Sequence, residues 1–257
     1  TKKAKSPYRT DFFNELGKYT DLNVIYEYEK AYGRDRTWSV TQAKNHNEIY
    51  IKGIKLPRGA SISFGFSKYL KIDNDIIVVG EYSTLTGMLT ILYLKMKRIP
   101  FILNIDGGMI KNDSWLQYKI KKFFMSSASY WLSPSRASDK YLLHYGAKEK
   151  RIYRYPFTSI HDDDVLKSAL SINEKNVFKN KVKSILNIRH CNKIVLSVGR
   201  FIKIKGFDIL LKAHKDNDDE VALIIVGGTP TEEYLEIIKE YNLKNVYFVD
   251  YVIKEEL

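Results

Sequence analysis

One short segment of the sequence carries side chains suited to binding a diphosphate. Residues 198–208 read VGRFIKIKGFD and lie between a predicted strand and a predicted helix, and ligands of open α/β sheets bind beyond the carboxyl ends of the strands. Arg200 presents a planar fork of donors and Lys205 a mobile point charge. Gly199 and Gly206 allow the backbone to approach a ligand closely. The segment contains neither G-x-G-x-x-G nor G-x-x-x-x-G-K-[ST], so an ordinary strand–helix loop with surface cations remains the alternative.

Two carboxylates follow predicted strands in the first half of the chain. Asp106 comes directly after residues 101–105 and precedes two glycines, and Glu81 follows residues 75–79 and one glycine. The carboxyl end of a buried parallel strand is where an open α/β sheet places its active-site residues. Asp106 is therefore the first candidate for an active-site acid and Glu81 the second. An aspartate that only caps a helix or forms a turn remains the alternative.

The elements that would position these residues alternate between strands and helices. Ser6 and Pro7 open the first helix, in which Phe12, Phe13 and Leu16 share one face. The other predicted elements are strands 22–26, 75–79, 101–105, 130–132, 193–198, 221–226 and 246–249, and helices 84–97, 114–125, 135–143, 177–188, 206–214 and 231–241. No strand is predicted before the first helix. The alternation predicts βαβ units with parallel sheets, which is an α/β protein.

Composition and charge separate the chain into two parts. The 257 residues are 44% hydrophobic and 28% charged, which excludes a disordered, collagen-like or disulfide-rich chain. Residues 1–158 hold 27 Lys and Arg against 14 Asp and Glu, a net charge of +13, whereas residues 159–257 hold 15 against 16. We expect a domain at 1–158, a linker and helix at 159–190 and a second domain at 191–257. The basic half predicts an anionic partner (phospholipid, nucleic acid or a phosphorylated substrate), unless its lysines only keep the surface solvated.

The cysteine content and the two ends of the sequence add two expectations. Cys191 has no second cysteine to pair with, and residues 1–5 lead into no apolar signal segment, which favours a reducing compartment. A second domain of three parallel strands, followed by the start of a helix at 253–257, would leave an apolar edge uncovered. We therefore expect a fragment of a longer protein that lacks most of the end of its second domain.

The second half of the sequence resembles a known enzyme family. Residues 197–200 (SVGR) with 205–213 (KGFDILLKA) resemble the signature of family-4 retaining glycosyltransferases of the GT-B fold. The similarity continues through residues 224–230 (IIVGGTP) and 246–257 (VYFVDYVIKEEL). Residues 6–158 more weakly resemble the acceptor domains of bacterial surface-polysaccharide enzymes. The resemblance implies two Rossmann-like parallel-sheet domains facing a cleft, the second incomplete.

The resemblance also implies roles for individual residues. The donor would be an NDP-sugar, with Asp106 and Glu81 as catalytic residues, and Asp106 stands where many family members have histidine. The implied ligands are Arg200, Lys205, Gly199 and Arg9 for the diphosphate, and Gly227, Gly228, Tyr251 and Val252 for the nucleotide. A nucleoside diphosphate leaves without protonation, and the five histidines show no metal-ligand spacing, so we expect no cofactor and no metal. The family's two acidic residues, eight apart, would lie beyond Leu257, so we expect the 257-residue chain alone to be nearly inactive.

The implied reaction transfers a hexose, with retention, to a lipid-linked saccharide in capsule or O-antigen synthesis. Such an enzyme would be cytoplasmic, on the inner face of the plasma membrane. Helix 114–125 mixes aromatic and basic residues and could contact an anionic membrane surface, or it could be a core helix with a solvated basic side. Two other functions remain open: a basic nucleic-acid-binding protein, although no nucleic-acid motif is present, and a sugar-nucleotide epimerase of the GT-B fold.

Overall fold

The chain divides into two compact units, Thr1–Ile160 and His161–Leu257. The computed structural model describes residues 2–28, 41–56, 60–63, 65–71, 73–158, 160, 162–188, 190–217 and 219–252. The predicted start of a helix at residues 253–257 lies outside them. Both units combine helices with parallel strands, so the predicted α/β class is confirmed.

The first unit holds two parallel sheets and one small antiparallel pair. Its strands are β1 (Lys2–Ala4), β2 (Asn23–Tyr28), β3 (Asn47–Tyr50), β4 (Ile54–Leu56), β5 (Ala60–Ile62), β6 (Val78–Val79), β7 (Ile102–Asn104), β8 (Tyr130–Ser133) and β9 (Ile152–Arg154). Its helices are α1 (Pro7–Leu16), α2 (Leu85–Met96), α3 (Trp115–Met125) and α4 (Arg136–His144). The strand orders are β1-β2-β3 and β6-β7-β8-β9, both parallel, and β4 pairs with β5 antiparallel.

The core of this unit lies around β7 and β8, as expected for strands buried by helices. Leu103 is fully buried and Trp131 is 1% exposed. The Trp131 indole nitrogen donates to the carbonyl of Met125, 2.8 Å away, so the polar atom of this side chain is also satisfied. The three helices α2, α3 and α4 begin where Thr84, Ser114 and Ser135 accept backbone hydrogen bonds through their side chains.

The second unit is a three-stranded parallel sheet with helices. Its elements are α5 (Ile172–Ile185), β10 (Lys193–Val198), α6 (Phe207–His214), β11 (Val221–Val226), α7 (Glu232–Glu240) and β12 (Val246–Val249), with strand order β10-β11-β12. Every residue of β11 is buried. Leu223 and Ile225 belong to one apolar cluster with α6 and α7, and Ala222, Ile224 and Val226 belong to another. Both faces of the central strand are therefore covered, which explains its continuous apolar run.

The structure corrects several details of the predicted elements. Strand β1 precedes the first helix and pairs with β2, and β3, β4, β5 and β9 were not predicted because they are short or polar. Only Val78–Val79 of the predicted strand 75–79 is paired. Helix α5 begins at Ile172 rather than 177, because Ser171 and Glu174 form a capping box.

Helix α1 buries its predicted apolar face only in part: Phe12 and Phe13 are half-buried, and the Phe12 ring packs on that of Phe157 at 5.5 Å between centroids. Its buried side chains are Arg9, Thr10 and Asn14, whereas Leu16 is 37% exposed. Two of these side chains are hydrogen-bonded locally: Asn14 Oδ1 accepts from the backbone N–H of Lys44 at 2.7 Å, and Thr10 Oγ1 donates to the carbonyl of Ser6 at 3.1 Å. These bonds explain why a polar face can be buried here.

Candidate functional site

The three strands of the second unit bring its predicted site residues to one edge. Val198, Val226 and Val249 are register partners at the carboxyl ends of β10, β11 and β12. Gly199 and Gly227 directly follow the first two of these strands. Parallel strands have their carboxyl ends at the same edge of a sheet, which is where such folds bind ligands.

The backbones of Gly199 and Gly227 lie against each other at this edge. The N–H of Gly199 donates to the carbonyl of Val226 at 2.8 Å. A Cβ atom at residue 227, whose φ is +146°, would overlap the carbonyl oxygen of Gly199. Glycine is therefore required at residue 227 by both its backbone conformation and the space around it.

Lys205 lies over Gly199 at the end of β10. The Lys205 Cδ and Cε atoms are 3.5 Å from the position that a Cβ of Gly199 would take. Lys205 ends a 3-10 turn, and Gly206, with φ +66°, caps α6 directly after it. Its amine is thus at the entrance of a helix whose N-terminal N–H groups favour anions.

Arg200 is half-buried and directly follows Gly199. In the part of the chain that the structure describes, neither Arg200 nor Lys205 forms an ion pair. The loop between them is held by Phe201, whose ring packs on those of Phe207 and Phe248 at 5.4 and 5.6 Å between centroids. The two cations are therefore available to a ligand on an anchored loop.

The other predicted nucleotide ligands follow β11 and β12. Gly228 has a φ of +140°, and its N–H points to the carbonyl of Val249 at 3.4 Å. Tyr251 is 37% exposed, and its N–H donates to Asp250 Oδ1 at 2.7 Å. Val252 packs against the cluster that contains Ile224. The structure thus brings Gly199, Gly227 and Gly228 together, while the roles of Tyr251 and Val252 stay predictions.

The first unit joins two predicted site residues that are far apart in sequence. Arg9 of α1 and Asp106, two residues after β7, form an ion pair. The Arg9 side chain is 8% exposed and that of Asp106 57%. Arg9 also points to the hydroxyl of Tyr155 at 3.5 Å, and this hydroxyl donates to Asn104 Oδ1 at 2.7 Å. Sequence reasoning missed Asn104 and Tyr155, because β9, which brings Tyr155 there, carries no apolar run.

Glu81 occupies the same edge of the sheet as Asp106. It follows β6, which pairs with β7 in parallel, and it accepts a hydrogen bond from Ser83 Oγ at 2.6 Å. A further acid, Glu27, is buried near the end of strand β2. Its carboxylate accepts a hydrogen bond from Thr84 Oγ1 at 2.8 Å. Glu27 was not predicted, because an acid within a strand gives no sequence signal of its own. The catalytic roles of Asp106 and Glu81 stay predictions.

Helix α3 exposes apolar side chains next to lysines. We define the α3 face as Trp115, Leu116, Lys119, Ile120 and Phe123. Its four apolar members are 74%, 60%, 43% and 42% exposed, and the amine of Lys119 lies 5.8 Å from the Trp115 ring centre. Phe124 and Met125 are the buried residues of this helix. The core-helix interpretation therefore holds for one side of the helix, where Tyr118 also packs against the core cluster, and the α3 face is the exposed side.

Two kinds of feature are absent from the described residues. Within the described ranges, no group of three or more His, Cys, Asp and Glu side chains is arranged to hold a metal ion. Among the helices described, none has the length and apolar character needed to cross a membrane.

Comparisons with known proteins identify the second unit and the fold. Residues 178–257 match the family model described as glycosyl transferases group 1. No curated protein sequence matches the chain significantly. The solved structure of Anabaena HepE with UDP-glucose has a TM-score of 0.65 at 14% identity, over 98% of this chain and 69% of HepE. HepE with UDP and glucose gives 0.64 at 13% identity, over 98% and 70%. The lipopolysaccharide outer core galactosyltransferase WaaB, apo form, gives 0.51 at 16% identity, over 98% and 67%.

The fold is therefore that of GT-B proteins, with two Rossmann-like units built on parallel strands. The match of residues 178–257 to glycosyl transferases group 1, together with this fold, supports a transferase enzyme.

Proposed function

We propose that the protein transfers a hexose from an NDP-sugar to a glycan acceptor, with retention of the anomeric configuration. One observation carries the proposal. Lys205 and Arg200, without ion pairs among the described residues, flank Gly199 at a strand edge within the segment that matches glycosyl transferases group 1. The HepE structures hold UDP and UDP-glucose, which supports a nucleotide-sugar as the class of donor.

The chemistry follows from placing two cations at a diphosphate. As the bond between the sugar and the phosphate breaks, negative charge grows on the leaving diphosphate. Hydrogen-bond donors and cations that are held in place where this charge develops stabilise the transition state. Removing one of them typically lowers the rate by about 10²–10³-fold. Arg200 and Lys205 would supply that stabilisation without a metal or a cofactor, and Gly227 and Gly228 would let the nucleotide approach the backbone.

The first unit would bind the acceptor. Asp106 would orient the donor sugar or accept a proton from the acceptor hydroxyl, with Glu81 as the second candidate. The similar WaaB is a galactosyltransferase of the lipopolysaccharide outer core, which supports a cell-surface glycan as the class of acceptor. We infer a lipid-linked saccharide of capsule or O-antigen type, used by a cytoplasmic enzyme at the inner face of the plasma membrane.

The α3 face supports the membrane part of this proposal. Exposed apolar side chains that alternate with lysines are typical of helices that lie in a lipid interface. Lys95 lies 4.0 Å from the Phe123 ring centre, and the neighbouring Lys97 and Arg98 add charge beside the 75% exposed Met96. An anionic lipid surface attracts such cations by about 1 kcal/mol each.

The test is a donor screen with the full-length protein. The protein is incubated with UDP- and GDP-sugars and with lipid-linked acceptors, and the products are separated and analysed by NMR for the new linkage. We expect one nucleotide-sugar to give a glycoside with the donor's anomeric configuration. An altered sugar still attached to the nucleotide would instead indicate epimerisation. Tight binding to random DNA that falls steeply with salt, without any response to nucleotide-sugars, would indicate nucleic-acid binding.

A further inference from the structure

The two side chains of the ion pair between Arg9 and Asp106 differ in solvent exposure, and this difference bears on the role of Arg9. The Arg9 side chain is 8% exposed, whereas that of Asp106 is 57% exposed. A buried side chain is held by the groups packed around it, and an exposed carboxylate is accessible to other molecules. The group open to a substrate is therefore Asp106, and Arg9 lies behind it.

Three separate parts of the chain fix the position of Arg9. The helix α1 carries it, the ring of Phe157 lies 4.1 Å from its Cζ atom, and its Nη1 points to the hydroxyl of Tyr155. Tyr155 is in turn held by Asn104, the last residue of β7. A guanidinium that stacks on a ring and donates from its rigid fork keeps one orientation.

The backbone after Asp106 is open at residue 107 and packed at residue 108, where a Cβ would overlap the ring of Tyr141. Gly107 follows with a φ of +143°, and a Cβ at that position would have no atom within 4 Å. The backbone at residue 107 therefore borders open space, on a residue type that is flexible by nature. The ion pair to Arg9 joins the Asp106 side chain to a buried side chain of the unit.

The geometry assigns Arg9 as a positioning residue that acts through Asp106, instead of the diphosphate ligand that its place in the sequence implies. This inference rests on the proposed transferase function. Arg9 would hold the exposed carboxylate of Asp106 in one position and one orientation. The positive charge of Arg9 would then be paired with that carboxylate instead of with a diphosphate. A displacement of about 1 Å at a reacting group can lower a rate by about 10²-fold.

The experiment separates positioning from donor binding in the full-length protein. The variants are Arg9→Met, Asp106→Asn, their double variant and Arg9→Lys, with Arg151→Met as the matched control. Met fills the space of the Arg9 stem and leaves Asp106 exposed to water, so no buried charge is stranded. Arg151 also stacks on an aromatic ring, Tyr130 at 5.6 Å, but at the opposite end of β9. The measurements are kcat, the donor KM and the dissociation constant of UDP by titration calorimetry.

Positioning predicts a loss in kcat alone. We expect Arg9→Met to lower kcat by about 10²-fold while the UDP dissociation constant and the donor KM change less than about twofold. The double variant should be no slower than Asp106→Asn, because Arg9 acts only through that residue. Arg9→Lys should recover part of kcat, and Arg151→Met should match the unaltered protein.

Other results would overturn the inference. If Arg9→Met weakens UDP binding about tenfold or more and retains kcat at saturating donor, Arg9 is a diphosphate ligand. If the losses of the two single variants multiply in the double variant, the residues act independently. If Arg9→Met does not fold, Tyr155→Phe gives the decision, since positioning predicts a several-fold lower kcat with unchanged UDP affinity.

A structural measurement keeps this inference distinct from the proposed function. A full-length protein that transfers no sugar from any donor would disprove the proposed function. Crystal structures of the protein and of Arg9→Met then decide the positioning role without activity. A shift of the Asp106 carboxylate by about 1 Å or more supports it, and an unchanged carboxylate overturns it.

Discussion

Individual residues decide whether the second unit can hold a diphosphate. Lys205 is 3.5 Å from where a Gly199 Cβ would be, so its flexible stem is already directed over the end of β10. Lys203 belongs to the same 3-10 turn and is also exposed, but the atoms nearest to a Gly199 Cβ come from Lys205 and Phe207. Two lysines of the same turn therefore differ in geometry, although their chemistry is the same.

This difference predicts unequal effects of three alanine substitutions. Arg200→Ala and Lys205→Ala should each lower kcat/KM for the donor by about 10²–10³-fold in the full-length protein, because each removes a charge-stabilising donor. Lys203→Ala, the matched control, should stay within about threefold, as exposed charges contribute little. Steady-state kinetics with the accepted donor gives the comparison. Equal losses from all three variants would contradict the proposed diphosphate site.

The glycines at 227 and 107 allow a second prediction. Both have a φ near +145°, but only a Cβ at residue 227 would overlap a backbone carbonyl. Gly107→Ala should cost about 1–3 kcal/mol of stability through backbone strain alone. Gly227→Ala should cost more, because β10 and β11 must separate at their ends, and it should also weaken UDP binding. Calorimetric unfolding measures both costs, and equal costs would show that the close approach to Gly199 is not tight.

The sequence predicts the residues of the second unit's site better than those of the first. Gly199, Arg200 and Lys205 lie within one strand–loop–helix segment, so local pattern alone places them at a strand end. Arg9 and Asp106 are 97 residues apart, and their pairing depends on which strand end lies beside α1. No local pattern contains that information, which is why the ion pair was not predicted.

Helices and strands of the first unit are positioned by polar contacts as well as by apolar faces. The periodicity of α1 predicted a buried face of Phe12, Phe13 and Leu16, but the buried side chains are Arg9, Thr10 and Asn14. Periodicity reports where apolar residues lie and not which side a neighbouring sheet occupies. The long helices and the strands with continuous apolar runs were predictable, because their burial and end signals agree.

The start of α2 gives a prediction on helix capping. Thr84 Oγ1 accepts from the N–H of Gly87 at 3.0 Å and donates to buried Glu27. Thr84→Ala should lower the free energy of unfolding by about 1–2 kcal/mol. Thr231→Ala is the matched control, because Thr231 caps α7 without a side-chain hydrogen bond, and it should cost less than about 0.5 kcal/mol.

Urea denaturation checks this pair of variants. Trp131 is 1% exposed, and its fluorescence follows unfolding of the first unit, while far-ultraviolet circular dichroism follows both units. A loss for Thr231→Ala as large as that for Thr84→Ala would mean that the side-chain bonds of Thr84 add nothing to the stability of α2.

The chain as a whole concentrates its positive charge in one unit. Residues 1–158 have a net charge of +13, from 27 basic and 14 acidic residues. The α3 face lies in this unit, so apolar exposure and positive charge occur in the same half of the molecule. The charge could be predicted from the sequence. The exposure of the apolar side chains of α3 could not, because an apolar residue of a helix can equally pack in the core. The positive charge and the exposed apolar side chains together predict that an anionic lipid surface binds this unit more strongly than the other.

The last prediction tests that preference with lipid vesicles. The full-length protein should sediment with vesicles that contain anionic lipid, and less so as salt is raised, because surface charge interactions are screened. Replacing both Trp115 and Leu116 with serine should weaken binding about tenfold or more, since apolar area is no longer buried in the interface. Ile172→Ser is the matched control, because Ile172 is 77% exposed but lies in the near-neutral unit. Binding to uncharged vesicles as strong as that to anionic vesicles would contradict the contribution of the positive charge. A loss from Ile172→Ser as large as that from the double variant would exclude the α3 face as the membrane contact.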